Sequence, residues 1–368
     1  MSSDSGVRPQ PDEVEVEASR RLSHHRVRSV REELAALVEY VDPDARQDQY
    51  GTGEVVGGLE RRVADLLGTE ACVLMPSGTM AQQIALRIWC DRAHSAHVAF
   101  HPTCHLEIHE RDAYRRLHGL SATLIGSHER LFTLQDLESL VEPPAAILFE
   151  LPQREIGGHL PEWDDLVAMT GWARERGIRN HLDGARLWEC QPFYDRPYTE
   201  IAGLFDSVYV SFYKILGGVA GAALAGPSDL IDEARVWQRR HGGNLVHMYP
   251  LALSAGLGLD RHLDLVGEYH AKAREIAVIL GGLPGVSVSP DPPHTNMMHV
   301  YVTGDRERLM AGRRKVIIEH DVELFRGLSA TEVPGVHRFE LTVGDSALEL
   351  KQEEMRSLFE TLLADPHD

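Results

Sequence analysis

Lys214 stands at the mouth of a short apolar run, with Val208 and Val210 at alternating positions before it and Gly217 and Gly218 just after it. A lysine there loses water. Desolvation penalises the ammonium form, lowers its pKa and leaves a nucleophilic amine. The run from His181 to Arg186 places Asp183 at the end of a second short apolar segment. Pro76, Ser77, Gly78 and Thr79 read as a strand-to-helix turn whose hydroxyls, close-approaching backbone and helix N-terminus suit an anion. Taken singly, each has a plainer reading: a surface lysine, an Asx turn before Gly184, a helix cap. Together they supply an amine for an imine, a carboxylate for a ring nitrogen and a cradle for a phosphate. Those are the three handles that pyridoxal 5'-phosphate requires.

Other residue types extend the set. Ser211, three residues before Lys214, is either a further phosphate donor or a partner for local backbone. His105 offers a flat imidazole to stack on the cofactor ring and joins Lys214 and Asp183 as a catalytic candidate. His101, His105 and His109 share a four-residue spacing that raises a metal site, but Pro102 breaks any helix through all three and no metal is expected. Arg186 and Arg338 could each hold a substrate carboxylate by bidentate pairing, or serve as structural ion pairs. Arg239, Arg240 and the turn Gly242 to Asn244 form a basic loop that either reaches a phosphate, across a subunit boundary, or is a simple connection.

The elements that must position these residues alternate. From Gly51 onward, helical spacing over Glu54 to Leu67 is followed by the apolar strand Ala71 to Met75 and a helix over Thr79 to Trp89. Ala96 to Phe100, Ala122 to Ile125, Ala145 to Phe149 and Asn180 to Leu182 read as buried strands, with an amphipathic helix over Leu160 to Arg176. Short apolar strands between helices predict an α/β architecture, a mostly parallel sheet covered on both faces, with ligands bound at the strands' carboxyl ends. Past Leu251 a long helix over Ala252 to Leu280 leads into strands near Val286, Met298, Val322 and Arg338. These predict a smaller α+β domain. The expected organisation is a mobile tail over 1–20, a segment 21–50 packing with the small domain, a cofactor-binding domain over 51–250 and the small domain over 251–368.

With 368 residues the chain can build a large core, and its formal net charge of −19 disfavours nucleic acid or an anionic membrane as partner. Four cysteines without CxxC spacing read as reduced thiols, and no apolar run is long enough to span a membrane. A cytoplasmic enzyme acting on a small molecule is the expectation.

Tyr50-Gly51, Met75 to Met80, His181 to Leu187 and Ser207 to Gly221, in that order, resemble the threonine aldolase and β-eliminating lyase family of aspartate-aminotransferase-like pyridoxal-phosphate enzymes. The resemblance spans Asp48 to Ala255, with a weaker echo at Arg338. It implies a seven-stranded, mostly parallel sheet, and a homodimer or homotetramer with sites at subunit boundaries. It implies that Lys214 bonds the cofactor, Asp183 pairs with its ring nitrogen, Gly78 and Thr79 hold its phosphate, His105 stacks on it, and Arg186 binds near the substrate carboxylate. Familiar members carry Glu-Asn-Thr-His after the fourth strand. Here the run is Glu150-Leu-Pro-Gln153, which places Gln153, no base near neutral pH, at the histidine position facing the substrate. Tyr213 replaces a small hydroxyl residue. The implied reaction is retro-aldol cleavage of a β-hydroxy-α-amino acid to glycine and an aldehyde, with a bound water or His105 or His109 near the hydroxyl. β-Elimination to a 2-oxo acid and ammonia is the alternative, and cofactor binding without turnover a third.

Overall fold

The computed structural model describes residues 18–364. Seven strands form the large sheet: β2 (Ala71–Met75), β3 (His97–Phe100), β4 (Ser121–Leu124), β5 (Ala146–Glu150), β6 (Arg179–Gly184), β7 (Ser207–Ser211) and β8 (Ala222–Gly226). Their order is β2-β8-β7-β6-β5-β3-β4. All neighbours pair parallel except β8, which runs against both β2 and β7. β2 is therefore parallel in space to β7, and the carboxyl ends of six strands share one edge. Sequence reasoning missed β8. Its residues Ala-Ala-Leu-Ala-Gly lack the β-branched side chains that mark a strand, yet all five are buried.

Helices cover both faces. α1 (Val30–Tyr40) opens with a capping box made by Ser29 and Glu32. α2 (Glu54–Leu67) ends at Gly68, whose φ of 67° is the left-handed turn a glycine supplies. α3 (Gly78–Ala93) follows β2 directly, with Ser77 as N-cap. α4 (His105–Ile108) is a single turn after β3. The amphipathic helix expected over Leu160 to Arg176 is confined to Trp163–Glu175, because Pro161 holds the entry extended. The long helix expected over Ala252 to Leu280 is two, Tyr249–His262 and Val266–Gly281. The 3-10 turn Leu263–Leu265 redirects the chain between them, and the His262 imidazole bonds the Tyr269 hydroxyl across it at 2.9 Å.

A second sheet, ordered β12-β13-β10-β9, is antiparallel and comprises β9 (Val286–Ser289), β10 (Met297–Thr303), β12 (Ser329–Ala330) and β13 (Val336–Thr342). β1 (Arg20–Arg21) pairs parallel with β11 (Val322–Glu323). Of the tail expected over 1–20, residues 1–17 lie outside the described residues; Ser19 and Arg20 are bound, the Ser19 N–H donating to Asp321 at 2.8 Å. Beyond β1, the His24 N–H reaches Thr342 and the Arg26 N–H reaches Asp345, so residues 19–26 lie along the C-terminal part. α1 crosses to helix Tyr249–His262, where the Tyr40 hydroxyl occupies the space a Cβ on Gly256 would take, 2.6 Å away.

Candidate active site

The large sheet's carboxyl edge brings the candidate residues together. β5, β6 and β7 set Glu150, Asp183 and Tyr209 abreast by register. Lys214 lies on the turn joining β7 to β8, which the Phe212 and Gly218 backbones close. A narrow cavity of about 20 Å³ is lined by Lys214, Asp183, Arg186, His105, His109, Glu150, Arg154 and Glu155, among others.

Lys214 is half-buried, and desolvation, aided by the Arg186 guanidinium, holds its pKa below the ordinary lysine value despite Asp183 and Glu150 nearby. Asp183 is 1 % exposed. It accepts the Gln82 amide at 2.7 Å and the Ala185 N–H at 3.0 Å. Neither donor is charged, so this buried carboxylate lacks a hydrogen-bonded cation among the described residues. A protonated ring nitrogen would satisfy that need. Burial alone would lower the His105 pKa, but the buried Glu110 carboxylate 2.9 Å from Nδ1 raises it overall. Glu150 accepts the His105 N–H at 3.1 Å and the Arg154 N–H at 3.2 Å; burial and the neighbouring Asp183 charge push its pKa up to about 7. Arg186 is buried between Glu189 at 3.4 Å and Glu340 at 3.6 Å, and its Nε has no partner among the described residues. Burial would lower its pKa; those carboxylates raise it and keep the guanidinium charged.

Gly78 opens α3, where a Cβ would meet the Tyr209 hydroxyl at 1.9 Å, so only glycine lets strand and helix approach this closely. The Ser77 hydroxyl accepts the Met80 N–H at 3.3 Å, acting as a cap, and Thr79 is exposed at the start of the helix. The Gly242 to Asn244 turn lies against this start: a Cβ on Gly243 would meet the Met80 sulfur at 2.3 Å. A buried carboxylate with no hydrogen-bonded cation among the described residues, a lysine of lowered pKa and a glycine-opened helix N-terminus fit pyridoxal phosphate.

Three expected residues lie elsewhere. Ser211 is buried and its hydroxyl donates to the Ala185 carbonyl at 2.6 Å, the local role weighed for it. Gln153 is 1 % exposed and donates to the Thr103 hydroxyl at 3.2 Å; it does not line the cavity. Arg338, on β13, pairs in register with Tyr301 of β10 and is also absent from the lining. Glu340, two residues on, is the β13 side chain that reaches Arg186 and, at 2.8 Å, Arg154. The three spaced histidines do not converge, since the His101 ring bonds Thr103 and the Arg130 carbonyl.

A different group, His25, His262 and Asp345, brings three possible ligand atoms within 4.8 Å of one another. The two rings stack at 4.0 Å, the His25 Nε2 bonds the Ile215 carbonyl, and Arg21, Arg26, Arg28 and Arg261 line the same cavity. The arrangement is a hydrogen-bonded brace in a cationic setting.

The comparisons with known proteins agree with this geometry. A family profile described as beta-eliminating lyase matches residues 37–304. The chain belongs to that family. It is similar to the crystal structure of a candidate L-allo-threonine aldolase from Listeria monocytogenes EGD-E, with 41% identity, a TM-score of 0.90, and coverage of 94% of this chain and 96% of that one. A candidate aromatic amino acid beta-eliminating lyase/threonine aldolase from Exiguobacterium sp. 255-15 matches at 42% identity and TM-score 0.90, over 94% and 97% of the two chains. Low-specificity L-threonine aldolase 1 of Arabidopsis thaliana is 26% identical over 294 residues, 77% of this chain and 82% of that protein. As family membership implies, the protein is a pyridoxal-phosphate-dependent lyase with an aspartate-aminotransferase-like fold.

Sequence reasoning gave no role to Gln82, Glu110, Glu189 or Glu340. Gln82 and Glu189 carried a signal: Gln82 is one helical turn beyond Gly78, and Glu189 is three residues after Arg186. Glu110 and Glu340 reach the site only through tertiary contacts.

Proposed function

We propose that the protein cleaves a β-hydroxy-α-amino acid of the threonine type to glycine and an aldehyde. The observation that carries this reading is the pairing, on one sheet edge, of a lysine with lowered pKa and a buried carboxylate that has no hydrogen-bonded cation among the described residues. Pyridoxal phosphate, when bound, supplies the electron sink for the pair left on the α-carbon. In this reading the chain does the rest. Ser77, Gly78 and Thr79 hold the phosphate, with the Arg239 to Asn244 turn beside them. His105, anchored by Glu110, packs on the ring, and Asp183 keeps the ring nitrogen protonated. Arg186, kept charged by Glu189 and Glu340, binds the substrate carboxylate and so fixes the orientation of the bonds at the α-carbon. Lys214, its pKa lowered, carries a proton to that carbon after cleavage.

The test is direct. Borohydride reduction and peptide mass analysis should find a pyridoxyl group on Lys214, and threonine should yield glycine and acetaldehyde. A 2-oxo acid with ammonia would assign β-elimination instead, and absence of the adduct would overturn the reading.

A homodimer or homotetramer is part of this proposal. Val30, Leu34 and Val38 form an apolar stripe on α1, 78%, 57% and 73% exposed. A stripe so open fits burial against a second copy. Four free, buried cysteines favour a reducing, cytoplasmic setting, and no described helix is long and apolar enough to cross a membrane.

A further inference from the structure

The cleavage needs a base for the β-hydroxyl, and most groups lining the cavity are engaged elsewhere. His105 is tied through Nδ1 to Glu110. Glu150 spends both oxygens on backbone N–H groups, and Asp183 accepts Gln82 and Ala185. Arg154 and Arg186 are cations, and Lys214 serves the α-carbon. His109 and Glu155 remain. His109 sits at the C-cap of α4, its ring 5.2 Å from that of His105 and its side chain 41% exposed at the cavity mouth. Its Nε2 lies 2.9 Å from Glu155 Oε1. Glu155 is held in turn by Arg154 at 3.0 Å, and Arg154 by Glu340 at 2.8 Å, so the dyad is anchored to the second sheet.

We propose that His109, oriented by Glu155, takes the β-hydroxyl proton. The carboxylate can only accept, so Nε2 carries the hydrogen and Nδ1 is the basic nitrogen. Among the described residues Nδ1 makes no hydrogen bond. In the step the O–H bond breaks, its proton passes to Nδ1, and the oxygen pair forms the carbonyl π bond of the departing aldehyde. The Cα–Cβ pair stays on the α-carbon, which Lys214 then protonates. His109 is catalytic, and Glu155 is a positioning residue. The groups beside the imidazole are Glu155, from the loop after β5, and His105, from α4; Arg154 lines the same cavity. This assignment rests on the function proposed above.

The test uses the holoenzyme and two reactions. Threonine cleavage requires the hydroxyl base, whereas exchange of a glycine α-proton with solvent does not. His109→Gln should lower kcat for threonine by on the order of 100-fold or more, while glycine exchange stays within about threefold of wild type. Glu155→Gln should lower kcat for threonine by less and leave KM and glycine exchange nearly unchanged, because the ring loses its charged orienting partner while substrate binding does not depend on it. The assignment is overturned if His109→Gln cleaves threonine normally, or if it loses exchange and cleavage in parallel. Wild-type protein that neither exchanges glycine nor cleaves threonine would overturn the proposed function itself, and this assignment with it.

Discussion

Glu150→Gln isolates the electrostatic cost of the site. In the folded apoprotein, burial and the Asp183 charge raise the Glu150 pKa from 4.5 to about 7. A raised carboxyl pKa means that the protonated form is favoured on folding. The stability it contributes is fully present below about pH 4.5 and is lost as pH rises through about 7. The span is about 3 kcal/mol at 1.36 kcal/mol per pKa unit, and water in the cavity that Glu150 lines reduces it to roughly 2 kcal/mol. Glutamine keeps the shape but offers one acceptor where two backbone N–H groups, of His105 and Arg154, need one each. Leaving one unpaired costs about 1–3 kcal/mol at every pH. The variant should therefore be less stable than wild type at pH 5, and should close or reverse that gap by about 2 kcal/mol at pH 8. Urea titration of both apoproteins at the two pH values measures it. A stability difference that does not change with pH would refute the argument.

Further outcomes follow from other contacts. Gly78→Ala forces a Cβ to within 1.9 Å of the buried Tyr209 hydroxyl, so apoprotein stability should fall by about 1–3 kcal/mol and cofactor affinity with it; wild-type melting and cofactor titration would refute the close approach. Asp183→Asn should keep the cofactor bound yet slow glycine α-proton exchange by on the order of 100-fold, and undiminished exchange would remove Asp183 from its role. Glu110→Gln removes the carboxylate that raises the His105 pKa, so an NMR titration of that imidazole should move to lower pH, and an unmoved titration would show that Glu110 is not the cause. Leu34→Asp should shift the sedimentation coefficient toward a monomer if the α1 stripe is covered by a second copy; an unchanged value places the interface elsewhere.

Much of the large sheet was legible because its strands are short, apolar and separated by amphipathic helices. α2 falls on its expected residues because helical spacing and a glycine stop coincide there. β8 was not legible: five small residues carry no strand propensity, and only the pairing of β2 and β7 on either side makes them a strand. At the site, Lys214, Asp183 and Arg186 could be read locally because each lies at or just beyond the carboxyl end of a strand. Gln153 could not, since the loop after β5 turns it toward Thr103 and presents Arg154 and Glu155 to the cavity instead. Arg338 and Glu340 share one face of β13, and sequence alone does not say which of the two reaches across to Arg186.

The reversed strand works as a ruler. The loop suited to an anion leaves β2, the amine leaves β7, and one strand of small residues lies between them. Two inter-strand spacings, roughly 10 Å in all, separate the two anchors, and main-chain pairing on both sides holds that gap. Loop substitutions can therefore alter which molecules enter, while the span between the anchors stays where the backbone ladder sets it.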